Sequence, residues 1–224
     1  QLNCNPYLVV DNGEAVLIDP GSPLDFEYVL ENVRKIVPIE QLRYIVLQHQ
    51  DPDFCASTPL FEQHGFCGQI ATHWRAANLI QFYGVKSPFF LVDEQGWQLK
   101  FGKERVLSFI PTPYLHFSGA MATYDPKTKV LFSSDLFGAF SGQPGLYADE
   151  WPQNSYMESM LSFHENYMPS NKNLRPVMEK LSKLEINLIA PQHGSIIRQD
   201  IPGHIEALQE LECGSFLAPI QHEL

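Results

Sequence analysis

Gln48-His49-Gln50-Asp51-Pro52-Asp53-Phe54 sets an imidazole and two carboxylates at alternate positions of one short segment. Alternate side chains of an extended or tightly turned segment can aim at one point, so His49, Asp51 and Asp53 offer three ligand groups together. The apolar run Tyr44-Ile45-Val46-Leu47 before them reads as a buried strand. His116, Asp135 and His193 each follow a further strand-like run, and separate strand ends can converge on one point by folding. Imidazoles and carboxylates, with one carboxylate left over to bridge, describe a dinuclear metal site rich in oxygen donors. Hard oxygen ligands favour hard ions, which suits iron or manganese better than a thiolate set would.

The chain has 224 residues, 44% of them hydrophobic and 12% aromatic, enough for one extended core. We read residues 1–224 as one domain. Fifteen basic residues against twenty-six acidic ones give a formal charge of −11, with no Lys/Arg cluster. That balance argues against nucleic acid or an anionic membrane as the main partner. No apolar run approaches the roughly 20 residues that span a bilayer, and no signal-peptide pattern opens the chain. Cys4, Cys55, Cys67 and Cys213 form no CxxC pair, which fits reduced thiols in a cytoplasmic protein. Cys55, close to the ligand stretch, is left out of the ligand set. The chain starts at Gln1 rather than methionine, which fits a processed form or a domain cut from a longer signalling protein.

Leu8–Val10 and Ala15–Ile18 flank Asp11-Asn12-Gly13, a hairpin signal. Helical spacing of apolar residues from Asp25 to Val37 ends at Pro38. Further strands are expected at Gln69–Thr72, Phe89–Val92, Trp97–Phe101, Val106–Ile110, Met121–Tyr124, Val130–Ser133 and Leu188–Ala190. Helices are expected near Ser57–Gln63, Trp74–Phe82, Ser155–Met168, Leu174–Leu184 and Pro202–Leu211, followed by an irregular tail. Strands in both halves with helices between them predict an α/β fold of two sheets packed face to face with helices outside.

Asn5-Pro6-Tyr7-Leu8, Val16-Leu17-Ile18-Asp19, the His49–Asp53 stretch, Pro111-Thr112-Pro113 through His116-Phe117, Lys129 through Asp135, and Ala190-Pro191-Gln192-His193-Gly194 carry a family resemblance. In order and spacing the chain resembles the metallo-β-lactamase-like domain of flavodiiron proteins, and more closely the stand-alone oxygen-binding di-iron proteins. The resemblance implies an αββα metallo-β-lactamase-like sandwich with the metals between the sheet edges. It implies His49, Asp51 and His116 on a first iron, Asp53 and His193 on a second, and Asp135 bridging both. Hydrolytic members usually carry histidine at the position of Asp51 and bind zinc; a carboxylate there marks the di-iron branch. Two iron ions are therefore expected, with zinc or manganese as the alternatives.

One departure stands out. Most of the family has a histidine ligand after the second aspartate, where this chain has Phe54, so the second metal is left one protein ligand short. An open position for a small ligand is one consequence and a weakly held ion the other. His73 and His164 read as surface or core-edge residues rather than replacements, and His64, His204 and His222 as exposed ones. Phe54, Tyr114, Phe117 and Tyr147 are expected to wall the metals.

The resemblance implies binding of dioxygen, or of nitric oxide. No segment resembles the FMN-binding flavodoxin domain of the full flavodiiron enzymes, which turns the expectation toward an oxygen sensor in signalling. An O2 or NO reductase fed by a separate electron-transfer partner is the alternative, and a binuclear metal-dependent hydrolase the next. Relatives of this kind are often head-to-tail dimers, so a homodimer is expected.

Overall fold

Asn12 (φ 49°) and Gly13 (φ 81°) adopt the left-handed backbone that a two-residue hairpin turn needs. They join β1 (Tyr7–Asp11) to β2 (Glu14–Ile18), an antiparallel pair in register from Tyr7–Ile18 to Asp11–Glu14. The structure, a computed structural model, describes residues 2–140, 145–153 and 155–214. After the hairpin come α1 (Phe26–Arg34), β3 (Leu42–Val46), α2 (Pro52–Cys55), α3 (Thr58–Gln63), β4 (Gln69–Thr72), α4 (Trp74–Ile80) and β5 (Phe89–Leu91). The second half holds β6 (Gln98–Phe101), β7 (Arg105–Pro111), β8 (Met121–Asp125), β9 (Val130–Ser134), α5 (Ser155–Tyr167), α6 (Asn171–Leu181), β10 (Leu188–Pro191) and α7 (Ile201–Glu210). The expected tail and His222 lie outside the described residues.

The strands form two five-stranded sheets, ordered β1-β2-β3-β4-β5 and β10-β9-β8-β7-β6. In the first, β2 to β5 are parallel, because helices carry the chain back between them. In the second, β6 to β9 form an antiparallel meander, and β10 joins β9 in parallel after the excursion through α5 and α6.

Strand periodicity explains the layering. Val16, Ile18, Val46 and Ala71 of the first sheet meet Leu107, Phe109, Met121 and Phe132 of the second. Their neighbours Ala15, Leu17, Ile45 and Ile70 point the other way, onto Phe26, Leu30 and Val33 of α1 and Phe61 of α3. On the far face Ala122, Leu131 and Ile189 pack beneath Met160 of α5, Met178 of α6 and Leu208 of α7. Each fully buried Leu, Phe or Met in these layers contributes about 1.5–3 kcal/mol of transfer free energy. The result is helix, sheet, sheet, helix, the sandwich expected from the sequence. Helix α6 starts at Asn171, three residues before the apolar spacing begins at Leu174. Its first turn is polar, and apolar periodicity cannot mark it. The ends of β2, β3, β7, β9 and β10 all deliver loops to one rim of the sandwich.

Candidate metal centre

The ligand stretch leaves β3 under tight control. Asp19, buried at the end of β2, accepts hydrogen bonds from Gln48 N (2.9 Å) and Gln48 Nε2 (2.7 Å). Burial raises Asp19 to about 7, although the Gln48 bonds pull the other way. Asp51 is extended (φ −65°, ψ 149°) and stands just before the single turn of α2, in which Pro52 takes the first position. Cys55 Sγ lies 3.1 Å from both Gln50 O and Asp51 O and shares its one thiol hydrogen between them, so its sulfur braces the loop from the core side. The extended residue followed by one helical turn lets Asp51 and Asp53 face the cleft while Phe54 turns inward.

His116 arrives on the loop after β7, and Asp135 follows Ser134, a residue with positive φ (60°) at the end of β9. The turn after Asp135 is fixed from below. Phe137 N donates to His164 Nε2 (3.1 Å), and His164 Nδ1 donates to Met160 O (2.7 Å). Both ring nitrogens of His164 are engaged, and burial lowers its pKa to about 4, so it is a neutral core residue. His73 instead caps α4, its Nδ1 accepting from Arg75 N at 3.1 Å. His64 and His204 are half-buried rather than exposed, one against Phe26 and the other against Tyr156.

His193 stands at the end of β10, and the first residues of the chain are laced across its loop. His193 Nδ1 donates to Asn3 O (2.7 Å), Gly194 N donates to Asn3 Oδ1 (3.0 Å), and Asn5 N donates to Gln192 O (2.9 Å). Tyr7 Oη donates to Pro191 O (2.7 Å). With Nδ1 committed to a carbonyl, His193 turns Nε2 toward the cleft, the arrangement that orients metal-binding histidines.

All six residues singled out in the sequence meet at this rim. Asp135 Oδ2 lies 3.3 Å from His49 Nε2 and 3.3 Å from His116 Nε2. Asp51 Oδ2 joins the same group, 3.0 Å from His116 Nε2 and 3.5 Å from His49 Nε2. The other Asp135 oxygen, Oδ1, lies 3.5 Å from His193 Nε2, which is 3.3 Å from Asp53 Oδ2. One carboxylate thus shares its two oxygens between two clusters. His49, Asp135 and His193 are almost wholly buried, whereas Asp51, Asp53 and His116 reach the opening. Asp51, Asp53, His116, Asp135 and His193 line a cleft of about 510 Å³, with His49 buried behind them.

The electrostatics match groups waiting for cations. Burial opposes charge on Asp51, yet the neighbouring imidazoles of His116 and His49 outweigh it and hold the carboxyl well below the usual range. Burial likewise disfavours a proton on His193, but Asp135, Asp53 and Cys4 push its pKa up to about 12. Protons on the imidazoles balance the carboxylates where a metal ion would. Two buried atoms, His49 Nε2 and Asp135 Oδ2, have no hydrogen-bond partner although each faces the other's cluster. A cation satisfies both, and the residues present fit a two-metal group.

Two features escaped sequence reading. The aromatic wall consists of Phe54 together with Phe163 and Tyr167 of α5, not of Tyr114, Phe117 or Tyr147. Phe54 lies 3.7 Å from the His49 ring centroid, Phe163 5.6 Å from that of His193, and Tyr167 6.1 Å from that of His116. Tyr114 is exposed, Phe117 packs on the helix layer of the first sheet, and Tyr147 holds Arg198 over its ring. The spacing of Phe163 and Tyr167, four residues apart on one helix face, was the available signal. The second feature is Cys4, whose Sγ lies 3.9 Å from Asp53 Oδ2. Only its position beside the Asn5-Pro6-Tyr7 segment hinted at it.

A family model described as ODP family beta lactamase matches residues 2–194. The chain belongs to this family. Within and around the ODP family, the structure is similar to the flavodiiron protein of Giardia intestinalis, with TM-score 0.85 and 26% identity over 93% of this chain and 51% of that one. It is also similar to the apo state of the chemotaxis sensor ODP from T. denticola (TM-score 0.86, 24% identity, 96% and 88% covered) and to a peroxy diiron species of chemotaxis sensor ODP (0.84, 24%, 98% and 92%). An anaerobic nitric oxide reductase flavorubredoxin of Aeromonas hydrophila is 27% identical over 209 residues, 88% of this chain and 40% of that protein. The chain spans about half or less of the length of the curated relatives it matches. Among the described residues no helix is long and apolar enough to cross a membrane.

Proposed function

We propose that this ODP family chain holds two irons and binds dioxygen as an oxygen sensor in signalling. In this reading His49, Asp51 and His116 hold one ion, Asp53 and His193 the other, and Asp135 bridges them. The observation that carries it is the division of the Asp135 oxygens between two separate clusters of imidazole and carboxylate atoms. When bound, an iron pair supplies exchangeable coordination positions and the electrons that a diatomic ligand such as dioxygen accepts.

The chain's own residues supply the rest. Ser134 Oγ, 3.3 Å from His49 Nδ1, and Asn3 O, at His193 Nδ1, orient two of the imidazoles. Phe54 and Phe163 limit water on the buried side, while Tyr167, Asp51, Asp53 and His116 stand at the mouth of the cleft. The comparisons add support, since a chemotaxis sensor ODP shares this fold at TM-score 0.84, alongside an anaerobic nitric oxide reductase flavorubredoxin that is 27% identical. That second relative also sustains the competing reading, reduction of O2 or NO with electrons from a partner protein.

Oxygen uptake by anaerobically reduced, iron-loaded protein separates the two. The sensor reading expects a spectral change on aeration that reverses under vacuum, with at most slow consumption. Rapid multiple turnover with a rubredoxin or flavoprotein donor would favour the reductase. Two zincs with esterase activity would replace both by a hydrolase.

A further inference from the structure

Phe54 removes an imidazole from beside Asp53, and the structure brings a different donor, Cys4, near Asp53 and His193. We propose that the thiolate of Cys4 is a ligand of the second metal ion, completing a half-site with Asp53 and His193. The proposal rests on the two-metal reading above.

The ligand atoms of Cys4, Asp53 and His193 all lie within 4.8 Å of one another. Cys4 Sγ is 3.9 Å from Asp53 Oδ2, and His193 Nε2 is 3.3 Å from the same oxygen. Atoms that share one ion at roughly 2.0–2.3 Å stand about 3–4 Å apart, so the spacing needs little adjustment.

The residues on either side of the sulfur are anchored by hydrogen bonds. Asn3 bonds His193 Nδ1 and Gly194 N, and Asn5 bonds Gln192 O, Pro191 O and Gly194 O. Both residues flanking Cys4 are therefore tied to the loop that carries His193. Cys4 itself lines the cleft together with Asp53, Asp135 and His193. Cys55 differs in each respect, being buried on the core side with its sulfur engaged by backbone carbonyls.

Coordination by Cys4 forms one sulfur–metal bond and releases the thiol proton to solvent, with no change of oxidation state. The two halves then differ in kind. His49, Asp51 and His116 present nitrogen and oxygen alone, whereas the second half gains one soft donor and keeps its opening to the cleft.

Cobalt(II) titration of the metal-free full chain without air tests this, read as ions bound and as near-ultraviolet thiolate-to-cobalt absorption. We expect two equivalents, one of them bringing the sulfur band. C4S should lose the band and bind that equivalent about tenfold or more weakly, while the exposed-thiol control C67S keeps both. Two equivalents without a sulfur band in the wild type, or a band that survives C4S, would overturn the Cys4 assignment and leave the two-metal reading standing. Fewer than two equivalents in the wild type would overturn both. The wild-type spectrum decides even if C4S does not fold.

Discussion

Asp135 links the two clusters of the candidate site, because its buried carboxylate faces His49 and His116 with one oxygen and His193 with the other. Asp135→Asn keeps the shape but loses the charge and one acceptor. It is expected to cut bound iron from roughly two ions per chain to one or fewer, measured by metal analysis after anaerobic loading. Gly194 bears on His193 in a different way. Its φ is +85°, and a Cβ there would meet Tyr156 Oη at 2.9 Å and Ala139 N at 3.0 Å. Gly194→Ala is expected to lower stability by about 1–3 kcal/mol and to weaken the second ion while leaving the first. Denaturant unfolding and a metal titration read the two effects; an unchanged titration would detach the loop from the site.

Helix α5 joins site and core, since Phe163 is buried against the second sheet's helix layer and also faces the His193 ring. Phe163→Ala should cost about 3–5 kcal/mol, seen as a lower urea midpoint for the metal-free protein. A change well under that figure would mean the wall is dispensable for packing. The strands were legible because they are short apolar runs, such as Val16-Leu17-Ile18 before Asp19-Pro20-Gly21 and Tyr44-Ile45-Val46-Leu47 before the polar ligand stretch. Buried parallel strands leave few other readings open. The ligand candidates were legible for a related reason, as His49, Asp135 and His193 each sit just past such a run. Phe163, Tyr167 and Cys4 were not, because nothing local in the chain records that α5 folds over the cleft or that the N-terminal segment crosses to the loop at 191–194. Those contacts join residues far apart in sequence, and a pattern of three or four residues cannot encode them.

For the molecule as a whole, the site is a store of coupled charge that pH must discharge. In metal-free protein His193 keeps its proton up to about 12, against its ordinary 6.5. Its stabilising contribution is therefore complete below about 6.5 and wanes as pH rises toward 12. Asp51, lowered from 3.8, has the opposite sign: its contribution is present above 3.8 and is lost as the solution is acidified below that value. In the proposed two-metal reading a metal replaces the imidazole protons, so loading is expected to release protons and to weaken by about tenfold per displaced proton for each unit that pH falls. Calorimetry of metal binding in buffers of different ionisation enthalpy measures the release. No release near neutrality would mean that the imidazoles are not ligands.

The claim at the centre is that one rim of the sandwich holds a pair of irons around Asp135. Iron-loaded protein, prepared without air, should contain two irons per chain and be nearly colourless. It should gain a visible or near-ultraviolet band on aeration and lose that band under vacuum. A single iron per chain, or a spectrum indifferent to air, would contradict it.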